Sequence, residues 1–183
     1  MSTSTEATVE SLYRVPEDGK AELVDGELLI MPPTGFLPHR AGLKITMSLY
    51  EYEQRHGGGY AIGDNAGFIV DLPHRRSFSP DAAFYKGEPT GGKFLNGAPV
   101  FAVEVRSEGD YGAAAEQALA AKRADYFAAG TLVVWDVDVL REKVVRVYRA
   151  DDPNNPAEYR TGDNAEAEPA LPGWTIPADS FLA

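Results

Sequence analysis

Two acidic residues, each set in a short apolar run, are the side chains of this sequence best placed to do chemistry. They are Asp81 in Ser79-Pro80-Asp81-Ala82-Ala83-Phe84 and Glu104 in Val100-Phe101-Ala102-Val103-Glu104-Val105. A carboxylate in such a run is costly to bury unless something holds it, and a divalent cation is the usual holder. Mg²⁺ accepts a few oxygen ligands and completes its shell with water and substrate phosphate. Two carboxylates and a backbone carbonyl from adjoining strand ends would therefore suffice. An ion held this way activates water and stabilises in-line displacement at phosphorus. The same spacing also allows a structural arrangement, with Asp81 capping a strand start after Pro80 and Glu104 paired with a core arginine.

Lys122 and Tyr126 stand one helical turn apart, on one face of the helix expected after the Glu104 strand. A lysine aimed at the strand ends could position a water or offset transition-state charge. It could equally be a snorkelling surface lysine. Arg106 lies two residues after Glu104, so strand alternation puts both on one side. It could reach the carboxylates or a phosphate, or form a structural ion pair with Asp81 or Glu104. Its guanidinium does not lose its proton, so it is excluded as a general base. Glu22 is either a third acid near the metal or an exposed strand residue. His39 is either a phosphate contact or solvated. His56 and His74 read as surface or loop residues. Gly57-Gly58-Gly59 lacks the spacing of a phosphate loop, and no GxxxxGK[ST] occurs.

The elements that must position these groups follow from local signals. Asp25-Gly26, between the apolar-rich halves of residues 21–31, predicts a β-hairpin ended by Pro32-Pro33. A helix is expected from about Pro38 to Arg55, stopped by the glycine run. Residues 66–71 and 81–85 read as strands on either side of the loop Pro73-His74-Arg75-Arg76, and a Gly/Pro-rich loop follows over 86–98. Residues 99–105 read as a strand buried on both faces. The alanine-rich 111–129 is a helix ending at Gly130. Residues 131–136 form a central strand and 144–149 a more exposed, alternating one. The order strand–strand–helix–strand makes the chain α/β with a crossover helix. The acidic tail is expected to wrap or fray, with Leu171–Ile176 docking back.

With 183 residues and 44% hydrophobic content, the chain can bury one core. The expectation is a single domain over 1–183, with a polar N-terminal segment (about 1–10) and an acidic C-terminal extension (about 150–183). The absence of cysteine excludes disulfides, thiolate catalysis and zinc–thiolate sites. No apolar run is long enough to span a membrane and nothing reads as a signal peptide, so a cytoplasmic location is expected. The net charge of −11 opposes nucleic-acid binding, but it is concentrated at the ends. Residues 1–19 carry −3 and 150–183 carry −6, while 20–149 holds 17 acids and 15 bases.

Taken in order, several segments resemble one family. They are Ala21-Glu22-Leu23-Val24-Asp25-Gly26-Glu27-Leu28, Pro32-Pro33 with His39, Ser79-Pro80-Asp81, and Val103-Glu104-Val105 with Ser107. Lys122 with Tyr126-Phe127-Ala128-Ala129-Gly130, Val134-Trp135-Asp136-Val137-Asp138 and Val145-Arg146-Val147-Tyr148 complete the set. The ordered set resembles the Uma-two family of restriction endonucleases, within the PD-(D/E)XK nuclease superfamily, from about residue 10 to the C-terminus. The resemblance implies a restriction-endonuclease-like α/β fold, a mixed sheet flanked by helices and preceded by an N-terminal β-hairpin. It also implies a Mg²⁺- or Mn²⁺-dependent phosphodiesterase site. Asp81 and Glu104 match its acids, Glu22 the acid from the N-terminal part, and Lys122 its basic position, moved from strand to helix. Glu104-Val105-Arg106 departs from the plain motif by placing arginine where lysine is usual.

The resulting expectation is a metal-dependent DNA endonuclease. Asp81, Glu104 and Glu22 would hold the ion, Glu22 directly or through water. Lys122 would orient the hydrolytic water, supported by His39, Arg106 or Tyr126, and a homodimer would present the DNA groove. The alternative is a non-catalytic interaction or regulatory protein on a nuclease-like scaffold.

Overall fold

A computed structural model of the protein describes residues 6–15 and 19–182, so the first five residues of the polar N-terminal segment lie outside the described residues. After a short helical turn α1 (Val9–Leu12), β1 (Lys20–Val24) and β2 (Glu27–Met31) form an antiparallel hairpin. Its two-residue turn has Asp25 and Gly26 at φ +50° and +73°, the conformation that the Asp-Gly pair favours. Helix α2 (Phe36–His56) runs two residues beyond the expected start and stops at Gly57, φ +62°. Glycine is needed there because a side chain would oppose the left-handed turn.

The next elements are β3 (Tyr60–Gly63), β4 (Phe68–Ile69), β5 (Ser77–Phe78), β6 (Ala82–Tyr85), β7 (Leu95–Asn96) and β8 (Phe101–Val105). Helix α3 (Ala113–Ala128) then leads to β9 (Val133–Asp138) and β10 (Val144–Arg149). The tail supplies β11 (Asp152–Tyr159), β12 (Asn164–Glu166), β13 (Thr175–Pro177) and the closing turn α4 (Asp179–Leu182).

The main sheet has the order β11-β10-β9-β8-β6-β3. Only β8 and β9 are parallel, joined by α3 as the crossover; the other neighbours are antiparallel. Alternation along the strands divides the core. Phe101, Val103, Trp135 and Val147 face α2 and the tail, while Ala83, Ala102 and Val134 face Tyr126 of α3 and the small sheet β5-β4-β7. Glu104 shares the α3 side with Ala102, as alternation requires.

Two expectations need correction. The segment 66–71 forms only the two-residue β4, which pairs with β5 and, in parallel, with β7 inside the supposed 86–98 loop. Strand β10 is more exposed than β9, as expected, and β11 pairs along its far edge. Of the two outcomes expected for the tail, wrapping or fraying, it wraps, and Leu171–Ile176 docks back as expected. Leu171, Trp174, Ile176 and Phe181 are buried, and the Trp174 ring lies 5.5 Å from Phe101 and 5.2 Å from Trp135. Strand β11 was illegible because Asp152-Pro153-Asn154-Asn155-Pro156 is poor in strand formers. An edge strand tolerates such residues, which also discourage pairing with another chain.

Asp138 fixes the connection from β9 to β10. Its carboxylate accepts the N–H groups of Leu140, Arg141 and Glu142 at 3.1, 2.9 and 3.3 Å and the Tyr111 hydroxyl at 2.7 Å. Burial pushes its pKa up, but the Arg141 N–H, the Tyr111 hydroxyl and the other donors outweigh that and hold it below 3.8. The depressed value makes its contribution to stability fully present above the unfolded pKa and lost as pH falls through the folded one. Asp138→Ala is expected to cost about 2–3 kcal/mol in urea melts at pH 7. The gap from wild type should narrow below pH 3.8; a gap independent of pH would contradict this account.

Candidate active site

The ladder brings the two acids together. Ala82 pairs with Val103 in the antiparallel β6–β8 register, so Asp81, one residue earlier, lies beside Glu104. The Asp81 N–H donates to the Val103 carbonyl at 3.0 Å, and its Oδ2 accepts the Val105 N–H at 2.7 Å. The aspartate side chain thus continues the ladder where β6 begins, which fixes its direction. Pro80 forfeits no ladder donor there.

Helix α3 provides the basic position. Lys122 Nζ lies 2.9 Å from Glu104 Oε1 and 2.9 Å from Glu22 Oε1. The Tyr126 hydroxyl, one turn further, donates to Glu104 Oε1 at 2.6 Å, while its ring stacks on Phe78 with centroids 4.0 Å apart. Glu104 Oε2 has no hydrogen-bond partner among the described residues. Burial raises the pKa of Glu104, and the charges of Asp81 and Glu22 add to that; Lys122 opposes but does not reverse it. Burial works against the Lys122 charge, yet Glu104 and Glu22 prevail and hold it above the ordinary ammonium value. Lys122 is therefore a fixed cation and hydrogen-bond donor, not a proton acceptor. Tyr126 is raised well above 10.0 by burial and by Glu104, so its hydroxyl stays a donor.

Glu22 reaches the site because the β1–β2 hairpin docks on residues 74–79. The Asp25 N–H donates to the His74 carbonyl at 2.6 Å, and the Arg76 N–H to the Leu23 carbonyl at 2.9 Å. The Leu23 N–H donates to Ser77 Oγ at 2.8 Å. Glu22, expected as a further metal ligand directly or through water, is engaged by protein donors in this structure. Its Oε1 accepts the Ser79 N–H at 2.8 Å as well as Lys122, and its Oε2 takes Arg75 at 2.6 Å. Burial raises its pKa, but Lys122 and Arg75 outweigh it and hold the carboxyl below 4.5. Glu22 is an ionised anchor for the two cations.

Arg106 does not reach Asp81 or Glu104. Its guanidinium binds both Asp136 oxygens at 2.7 Å and also pairs with Glu116 of α3. Register explains the choice: Asp136 is the β9 partner of Glu104, on the same α3-facing side, and takes the arginine that alternation had assigned there. His39 lies exposed on α2, in the wall of a cleft of ≈ 230 Å³ that also includes Thr34, Gly42, Thr46, Asp64 and Asp81. His56 stacks on Tyr52. His74 is no bystander: its Nε2 lies 2.6 Å from Asp125 Oδ1, and Asp125 Oδ2 accepts Arg75 Nε at 2.7 Å.

Two cations escaped the sequence reading. Arg75 links Glu22 to Asp125 and lies over the Phe78 ring, 4.9 Å from its centroid. Lys20 Nζ lies 2.8 Å from Asp81 Oδ1 and 2.7 Å from Asp64 Oδ1. One signal for Lys20 was present: residues 20 and 22 of a strand share a face. For Arg75 there was none, because only hairpin docking turns its loop inward.

A divalent ion fits this donor set in a limited way. Among the described residues no group of three or more His, Cys, Asp or Glu side chains surrounds a common point. Asp81 and Glu104 offer two carboxylates, enough for Mg²⁺ or Mn²⁺, which keep several waters. The ammonium of Lys20 against Asp81 stands where a cation is favoured. Burial opposes its charge, and Asp81 and Glu104 more than offset that.

Among the described residues no helix is long and apolar enough to cross a membrane. No curated protein matches the chain. Among solved structures it is similar to "a putative nuclease belonging to DUF820" from Anabaena variabilis. That likeness has a TM-score of 0.74 and 14% identity, and covers 96% of this chain and 97% of the other. At that identity the fold alone is shared, a mixed sheet flanked by helices with the hairpin at its N-terminal side. The family described as "Putative restriction endonuclease", Uma2, matches residues 8–179. The chain belongs to the Uma2 family.

Proposed function

We propose that this protein is a divalent-cation-dependent endonuclease that hydrolyses phosphodiester bonds in DNA. The observation that carries the reading is the pairing of Asp81 and Glu104 at adjacent strand ends, with Lys122 anchored against Glu104 by Glu22. Asp81 and Glu104 would hold Mg²⁺ or Mn²⁺, Glu104 through its unpartnered Oε2. A bound ion of this kind supplies Lewis acidity toward a phosphoryl oxygen and lowers the pKa of a water ligand. Lys122, always protonated, orients water and stabilises developing negative charge through its remaining donor. Tyr126 holds the Glu104 carboxylate in one orientation, and Arg75 does the same for Glu22.

DNA would approach from the side of α2, where His39 and Arg40 are exposed beside the cleft at Asp81. A homodimer is part of the proposal. Phe36, Leu43, Met47 and Tyr50 form an exposed stripe on α2, and a second copy would cover it while widening the groove for a duplex. Sedimentation equilibrium reads that directly.

The test is plasmid and short-duplex cleavage in Mg²⁺ or Mn²⁺, with chelator controls, beside Asp81→Ala. Wild type should nick only with the ion, and Asp81→Ala should lose at least about a hundredfold in rate. Nicking that survives Asp81→Ala at full rate sinks the site. No nicking and no calorimetric Mn²⁺ binding would favour the scaffold reading, which one observation supports: the acids of this cluster are already neutralised by its own lysines and arginine.

A further inference from the structure

The cluster at the strand ends holds three carboxylates, Glu22, Asp81 and Glu104, and three cations, Lys122, Arg75 and Lys20. Lys20 and Arg75 also pair with Asp64 and Asp125, so five carboxylates share the three cations, and Asp81 already carries one of those cations. A dication entering beside Asp81 and Glu104 would meet an ammonium already on Asp81, and like charges at that range repel strongly in a partly buried site. One resident cation has to move for an ion to load.

The three differ in freedom to do so. Lys122 is clamped between Glu22 and Glu104, each 2.9 Å away. Arg75 is held by Glu22 and Asp125 and lies over Phe78. Of the three, Lys20 is the one on Asp81 itself, and its ammonium is shared between Asp81 Oδ1 at 2.8 Å and Asp64 Oδ1 at 2.7 Å, outside the cluster. Asp64 follows β3 and is held by the Asn65 N–H, which donates to its Oδ1 at 2.7 Å. Its side chain is 39% exposed against 23% for Asp81, so a cation resting on it is better solvated. Asp64 and Asp81 both line the ≈ 230 Å³ cleft, which leaves room for the lysine to shift.

We propose that Lys20 is a displaceable resident cation, which occupies Asp81 in the metal-free protein and shifts onto Asp64 when a divalent ion loads. The inference rests on the reading of Asp81 and Glu104 as metal ligands. Loading is then an exchange of cations rather than a simple association. Asp64 sets its affinity without touching the metal, as a positioning residue acting through Lys20. The ammonium also keeps Asp81 and Glu104 from repelling each other before the ion arrives.

Mn²⁺ titration calorimetry on the full chain, without DNA and at fixed ionic strength, tests this. Lys20→Met is expected to tighten Mn²⁺ binding about tenfold, and Asp64→Asn to weaken it several-fold, because the lysine then has only Asp81. In the Lys20→Met background, Asp64→Asn should change nothing. Lys20→Gln, which keeps a neutral donor beside Asp81, should shift affinity in the same direction as Lys20→Met, so that a folding defect in one variant does not decide the result. Equal or weaker binding in both Lys20 variants overturns the inference. So does an Asp64→Asn effect that persists without Lys20, since Asp64 would then act on the ion directly. Absence of Mn²⁺ binding in every protein, wild type included, overturns the metal reading and this inference with it.

Discussion

Glu104→Gln is expected to abolish Mn²⁺ binding and lower DNA cleavage by about three orders of magnitude, ~4 kcal/mol on the barrier, while leaving the fold as stable or more so. The substitution keeps the shape and an oxygen to accept from Lys122 and Tyr126, but removes the charge the ion needs. Stability moves the other way because burial, Asp81 and Glu22 hold the Glu104 pKa above 4.5. A carboxyl raised in the native state makes the protein less stable as pH rises from the unfolded pKa through the folded one. At neutral pH the ionised form therefore carries a cost that the neutral amide avoids. Thermal melts should show an equal or higher Tm, and the difference between Glu104→Gln and wild type should shrink as pH falls toward 4.5. A site residue that costs stability is the ordinary signature of function placed above packing. A large drop in Tm with cleavage retained would instead make Glu104 a structural ion-pair member.

Arg106→Met is expected to destabilise the protein by about 3–5 kcal/mol, a fall in Tm of roughly 10 °C for a chain of this size. Arg106 and Asp136 are 4% and 2% exposed, and removal of the guanidinium leaves Asp136 buried with Arg123 at 3.8 Å as its remaining ion-pair partner among the described residues. The Arg106→Met, Asp136→Leu double variant should recover most of the loss, because it is the stranded charge rather than the missing contact that costs. Denaturant melts of both variants measure this. If Arg106→Met melted like wild type yet lost cleavage, Arg106 would belong to the active site after all.

The legible parts of the molecule are those decided by near neighbours. Asp25-Gly26 announced the hairpin because only such residues accept two positive φ angles in succession. Gly57 and Gly130 marked helix ends for the same reason. Continuous apolar runs identified β8 and β9 as central because both faces are covered. The family's order of three acids and a lysine singled out Asp81, Glu104, Glu22 and Lys122, and the fold brings all four to one place. Strands β5, β7 and β11 stayed hidden. They are two residues long or built of Asp, Asn and Pro, and they exist because a neighbouring strand offers a ladder.

What the amino-acid sequence determined by itself was therefore the hairpin, the two long helices, the central strands and the acids worth watching. The tertiary structure decided which charge answers which. Lys20 meets Asp81 across 61 residues, and Arg106 meets Asp136 across 30. Neither pairing follows from spacing, because each is set by hairpin docking and sheet register, and one step of register would turn every side chain to the opposite face. The same long-range geometry set Glu22 against Lys122, Arg75 and the Ser79 N–H. It also placed an unforeseen ammonium on the aspartate that the metal would need.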